Sequence, residues 1–133
     1  MKKEDKEILL KDLSVRLPYG TKFHYSVNNY LMEIIGIDAY SGTVDAIGDE
    51  HRFPAIPIED VKPYLRPISS MTDVERQEFV NFHCLKLFPI IDKDCLTLEN
   101  ELRMFCWLNA HHFDYRGLIE KGLALEAPEG MYK

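Results

Sequence analysis

The stretch Val61-Lys62-Pro63-Tyr64-Leu65-Arg66-Pro67-Ile68-Ser69-Ser70-Met71-Thr72-Asp73-Val74-Glu75 divides the chain into unlike halves. Pro63 and Pro67 donate no backbone hydrogen bond, and each drives the residue before it towards extended geometry. Lys62 to Arg66 is therefore expected as a short edge strand or strap, with Tyr64 and Leu65 as its apolar anchors. Thr72 and Glu75 carry the Thr-x-x-Glu spacing of a capping box. In it the Thr72 hydroxyl accepts from the Glu75 amide and the Glu75 carboxylate accepts from the Thr72 amide. Asp73 adds negative charge to the first turn, where the helix dipole favours it. The bland reading is a linker followed by a helix start. The functional one is a hinge that presents Arg66 to a ligand.

Upstream, Lys3 to Arg16 reads as a helix. Leu9, Leu13 and Leu17 repeat every four residues, Ile8 and Leu10 widen the stripe, and Pro18-Tyr19-Gly20 stops it. Thr21 to Val27 alternates as a strand does, Phe23, Tyr25 and Val27 against Lys22, His24 and Ser26. Asn28-Asn29 fits a turn, because Asn tolerates positive φ. Tyr30 to Ile37 is apolar on both sides apart from Glu33, which predicts a strand covered on two faces. Thr43 to Ile47 is a third strand. Phe53 to Ile58 is a fourth, placed at an edge by Pro54 and Pro57. Glu59-Asp60-Val61 fits one 3₁₀ turn. Short strands with tight turns predict a small SH3-like β-barrel or a curled antiparallel sheet.

Downstream, Asp73 to Leu87 is a second helix, with Phe79, Phe82, Leu85 and Leu87 among its apolar positions, and Phe88-Pro89 ends it. Asp92-Lys93-Asp94 reads as a loop and Cys95 to Leu98 as a short strand. Glu99 to Ala110 is a third helix, so rich in Leu102, Met104, Phe105, Cys106, Trp107 and Leu108 that it should be mostly buried. Asp114 should cap a short fourth helix, Tyr115 to Lys121, with Gly122 at C′. Leu123 to Lys133 reads as an irregular tail. The expected fold class is α+β. Residues 1–67 form an N-terminal helix plus a small barrel, and residues 68–133 a helical part sharing its core.

With 133 residues, 46% of them hydrophobic, the chain is sized for one domain or two small lobes. No apolar run approaches a membrane span, and Lys11 and Asp12 interrupt any signal-peptide core, so a cytoplasmic location is the expectation. Three cysteines at irregular spacing fit reduced thiols. The formal charge is −6 and no segment is strongly basic, so no nucleic-acid footprint is visible.

The densest polar cluster is Asn109-Ala110-His111-His112-Phe113-Asp114-Tyr115-Arg116. Two histidines, an Asp and an Arg could make a metal or acid–base site. Adjacent histidines, however, diverge by about 100° on a helix. Cys106 misses the i, i+4 spacing of helical metal pairs, and the short Cys-x-x-Cys spacing of zinc sites is absent. Structural roles weigh more: Asp114 as a cap, His111 or His112 on the last helical carbonyls, Arg116 paired with a carboxylate. Asp92-x-Asp94 is followed by Leu96 and Leu98, which supply no side-chain oxygen for calcium. There is no Gly-rich phosphate loop or Gly-x-Ser-x-Gly elbow, Ser69-Ser70 lacks a base, and His83 beside Cys84 points elsewhere. No catalytic residue, metal or cofactor is expected. Tyr19, Tyr25, Tyr30, Tyr40, Phe53 and Tyr64 can line a groove, though filling a thin core is the more economical use of them.

Three blocks carry a resemblance. They are Lys-Glu-Asp-Lys…Leu-Leu-Lys-Asp-Leu…Arg-Leu-Pro-Tyr-Gly (3–20), Val-Lys-Pro-Tyr-Leu-Arg-Pro-Ile-Ser-Ser-Met-Thr (61–72) and Trp-Leu-Asn-Ala-His-His-Phe-Asp-Tyr-Arg-Gly-Leu-Ile-Glu-Lys-Gly-Leu-Ala (107–124). Together they resemble a family of short uncharacterised proteins of gut Bacteroides-type bacteria that look like prophage or mobile-element products. Residues 21–60 have no recognisable match. The resemblance implies an origin and no mechanism, and favours a binding accessory protein over a metabolic enzyme. The leading expectation is a non-enzymatic module that binds a protein or peptide, through a groove near Tyr64 and Arg66 or through the turn holding Asn109, His111, His112, Asp114 and Arg116. The alternatives are a nucleic-acid accessory protein using the same barrel, and a metal-dependent hydrolase centred on His111 and His112.

Overall fold

A computed structural model describes residues 1–84 and 93–132, without the side chains at 80–84 and 93–101. The side chains of Phe82, His83 and Cys84 are not described, and the expected apolar positions Leu85 and Leu87 and the Phe88-Pro89 stop lie outside the described residues.

Helix α1 spans Lys3–Arg16 and buries Leu9, Asp12, Leu13 and Arg16. That spacing is i, i+3, i+4, i+7, one continuous helical face. A single 3₁₀ turn, Leu17–Tyr19, follows, and Gly20 at φ +67° turns the chain into the sheet. Strands β1 (Lys22–Tyr25), β2 (Tyr30–Asp38), β3 (Thr43–Gly48), β4 (His51–Pro57) and β5 (Val61–Pro67) pair antiparallel in the order β4-β3-β2-β1-β5. The link from β4 to β5 is the 3₁₀ turn Ile58–Asp60. Asn29 takes φ +59° at the end of the turn between β1 and β2.

Helix α2 (Asp73–Cys84) starts at the capping box: the Glu75 amide donates to Thr72 Oγ1 (3.1 Å) and the Thr72 amide to Glu75 Oε1 (3.0 Å). Such a box is worth about 1 kcal/mol. Helix α3 spans Lys93–Ala110. Two-residue strands β6 (Phe113–Asp114) and β7 (Leu125–Glu126) then join β5 in parallel, β6 at Arg66 and Pro67, β7 at Tyr64 and Leu65. The protein is thus α+β, with an N-terminal helix, a mixed sheet and a C-terminal helix. The sheet is an open path. Among the described residues no pairing returns from β4 to close a barrel, and β6 and β7 occupy the far end. No described helix is long and apolar enough to cross a membrane.

One interior serves both halves. Phe23, Met32, Val44, Val61 and Leu65 of the sheet pack with Leu9 and Leu13 of α1 and with Leu118, Leu123 and Ala124 from beyond α3. A second cluster joins Trp107, Leu108 and Phe113, flanked by Met71 and Phe79.

Several expectations are corrected. Cys95 to Leu98 is helical, the first part of α3; four residues of apolar alternation are too few to outweigh the helix-forming run that continues from Glu99. Helix α3 is not buried all round, since Leu102, Phe105 and Cys106 are exposed. Strand β2 is covered on one face only, leaving Leu31 and Ile35 exposed. Tyr115 to Lys121 is no helix: Gly117 sits at φ +73°, and only one turn forms after it. Gly122, at φ +75°, does close that turn, its amide on Ile119 O and the next amide, of Leu123, on Leu118 O. The tail is irregular apart from β7, but it is packed, with Leu123 and Ala124 in the core. Among the aromatics, Tyr25 and Phe53 pack on the core, while Tyr40 is fully exposed and Tyr30 about half so.

Candidate binding site

The two surfaces that the sequence offered as alternatives meet. The Arg66 amide donates to His112 O (2.8 Å), so the end of the strap and the His111–Arg116 turn are hydrogen-bonded neighbours. The Arg66 guanidinium lies over the Phe113 ring, 4.2 Å from its centre, and grips Glu75 bidentately, Nη1 to Oε2 at 2.7 Å and Nη2 to Oε1 at 2.6 Å. These hydrogen bonds hold the Glu75 carboxyl down at about 2, against the opposing effect of its partial burial. Glu75 therefore caps α2 and clamps β5 at once. Arg66 is not presented to a ligand as a free cation, since its donor edge is committed to Glu75.

Within the turn, each side chain has a structural partner. His111 Nδ1 donates to Trp107 O (3.0 Å), and the ring stacks on Trp107 at 3.9 Å. The Asn109 Oδ1 accepts from the Tyr115 hydroxyl (2.7 Å). Asp114 accepts from the amides of Leu118 and Ile119, both at 3.0 Å. The Arg116 Nε donates to Asp12 Oδ1 at 3.1 Å. His112, at φ +63°, turns its ring away from His111 and onto Tyr132, 3.6 Å between centres. The two histidines thus stand on different aromatic partners. Among the described residues, no three His, Cys, Asp or Glu side chains converge on a metal-sized site.

Two features escaped the sequence reading. The first is the Asp12–Arg16 pair, both side chains wholly buried, with Nε to Oδ2 at 2.7 Å and Nη2 to Oδ1 at 3.2 Å. Arg16 Nη2 also donates to Phe113 O (2.6 Å), tying α1 to the turn. The signal lay in the 9-12-13-16 spacing, which puts Asp12 and Arg16 on the face of Leu9 and Leu13. The second feature is Tyr132. Its hydroxyl accepts from the Lys22 amide (3.0 Å) and donates to Tyr64 O (2.7 Å). The register Phe23–Pro63 makes Lys22 and Tyr64 the next rung of the β1–β5 ladder, and the phenol stands in for that rung. Burial pushes the hydroxyl up to about 12.

His112 is 6% exposed, and its imidazole is lowered from 6.5 to about 4, first by burial and then by the charge of Arg16. The unfolded chain therefore takes up the proton before the folded one. The stability that His112 contributes is whole above about 6.5 and lost as pH falls towards 4. That span is worth about 3 kcal/mol. His112→Phe keeps the ring stack without the proton, so its urea midpoint should vary less with pH across this window than that of the wild type. A slope equal to the wild type's would count against the burial.

Beside this cluster lies a cleft of about 580 Å³, walled by Arg66, Pro67, Ser70, Thr72 and Glu75 on one side and residues 126–132 on the other. Arg66 and Glu75 neutralise each other there. Among the described residues, no ion pair engages Glu126 or Glu129, its other two carboxylates. No family model, curated protein or solved structure matches the chain.

Proposed function

We propose that the protein is a non-enzymatic interaction module, an accessory protein of a prophage or mobile element acting in the cytoplasm, and that it docks a protein or peptide segment in the cleft beside Arg66. The cleft itself carries this reading: it is large enough for several side chains and lies where β5, α2 and the C-terminal segment meet. Its uncommitted charges, Glu126 and Glu129, favour a basic segment. They disfavour a polyanion, so this surface lends no support to nucleic-acid binding. The reading includes an SH3-like unit, supported by the order β4-β3-β2-β1-β5 and by a 3₁₀ turn before the last strand. That likeness of fold adds nothing about the ligand.

The test is titration of the full chain with a short Lys–Val alternating peptide, its Glu–Val counterpart and a single-stranded oligonucleotide, read by amide NMR. The basic peptide should shift the amides of residues 126–132 saturably, and Glu126→Lys with Glu129→Lys should abolish the shift. Silence towards both peptides, or tighter binding of the oligonucleotide, would overturn the reading.

A further inference from the structure

On a different face, Val15 of α1, Phe105 and Asn109 of α3, and Tyr115 and Arg116 line an open hollow of about 450 Å³. Its apolar walls are Val15 and Phe105, 44% and 42% exposed, with the Phe105 ring set at 52° to Tyr115, 5.1 Å between centres. Asn109 is 5% exposed. Its oxygen is taken by the Tyr115 hydroxyl, and among the described residues its amide nitrogen has no hydrogen-bond partner. Arg116 is anchored by Nε alone, to Asp12 Oδ1, with its guanidinium 5.4 Å from the Tyr115 ring centre. Its two terminal nitrogens likewise have no partner among the described residues.

The charges point the same way. One carboxylate, Asp12, serves two guanidiniums, Arg16 and Arg116. Arg16 is wholly buried, and its Nη1 has no partner. The groups bonded to one another here therefore carry one positive charge too many, in a chain whose overall charge is −6. Arg116, its side chain partly exposed, turns the terminal edge that Asp12 leaves free to the hollow, and a guanidinium edge matches a carboxylate bidentately.

We propose that this hollow binds a small carboxylate with an apolar body, an aryl- or alkyl-carboxylate. The body lies on Val15 and Phe105. The carboxylate accepts from the terminal nitrogens of Arg116 and from the Asn109 amide. The hollow shares no lining residue with the cleft beside Arg66, so this proposal stands independently of the docking reading.

The experiment titrates the full chain with hydrocinnamate, with the uncharged hydrocinnamide and with inorganic phosphate, reading the Asn109 side-chain amide and Arg116 Nε by NMR. Hydrocinnamate should shift both saturably, and each of the other two should bind at least about tenfold more weakly. Arg116→Gln should weaken hydrocinnamate about tenfold or more. Because that change also touches Asp12, Phe105→Ala at an exposed wall serves as the second variant and should weaken it similarly. The proposal is overturned if hydrocinnamate gives no saturable shift, if hydrocinnamide or phosphate binds as tightly, or if both variants bind like the wild type.

Discussion

Asp12→Ala is expected to cost about 4 kcal/mol of folding stability, the largest loss of any single substitution considered for this protein. The carboxylate lies between two guanidiniums, one of them wholly buried. Removing it strands Arg16, whose remaining described hydrogen bond is to Phe113 O. A buried charge left without its counter-ion costs far more than the pair contributes when intact. The double variant Asp12→Leu with Arg16→Met removes both charges and keeps apolar volume. It should therefore recover most of the loss, because Arg116 is partly exposed and can be hydrated. Urea unfolding of the single and double variants measures this. A loss under about 1 kcal/mol for Asp12→Ala would mean that Arg16 reaches water.

Tyr132→Ala should cost about 3 kcal/mol. The phenol bridges Lys22 to Tyr64 at the end of the β1–β5 ladder and covers His112. Without it, an amide, a carbonyl and one face of an imidazole lose their partner together. Tyr132→Phe retains the stack and loses only the bridge, so about 1–2 kcal/mol is expected there. Amide exchange separates the two contributions. The Lys22 amide should lose protection in both variants, whereas His112 should titrate closer to its ordinary 6.5 only in Tyr132→Ala. An unchanged Lys22 amide in Tyr132→Phe would sink the bridging role.

What could be read from residue order was what depends on near neighbours. Pro63 and Pro67 made an extended strand, though one flanked on both sides and not an edge, Thr72 and Glu75 made their reciprocal cap, and Pro54 and Pro57 marked an edge strand. Local chemistry also placed Arg116 on a carboxylate and Asp114 as a cap, though of a single turn and not of the expected helix. What could not be read were pairings across long stretches of chain. Nothing local in Leu125-Glu126 tells that it will meet Tyr64 and Leu65, and a two-residue parallel strand has no periodicity of its own. Tyr132 is equally silent, since its partners Lys22 and Tyr64 are distant in the chain. Asp12 and Arg16 went unread for another reason. Charged residues on a helix are ordinarily solvated, and only their placement on the face of Leu9 and Leu13 betrayed them. Of the residues that line the cleft, Arg66 alone was named as a site residue from the sequence, and its union with the His111–Arg116 turn was not read. Arg66 and His112 were assigned to different surfaces and are joined by one backbone hydrogen bond.

The central claim is that the sheet core and the rear cluster under α3 unfold as one cooperative unit. Trp107 is the chain's single tryptophan and sits in the rear cluster, while Phe23 and Val44 lie in the sheet core. Urea unfolding followed at once by Trp107 fluorescence and by the amide exchange of Phe23 and Val44 is the direct measurement. The expected result is a single shared midpoint. A Trp107 transition complete while the sheet amides stay protected would contradict it.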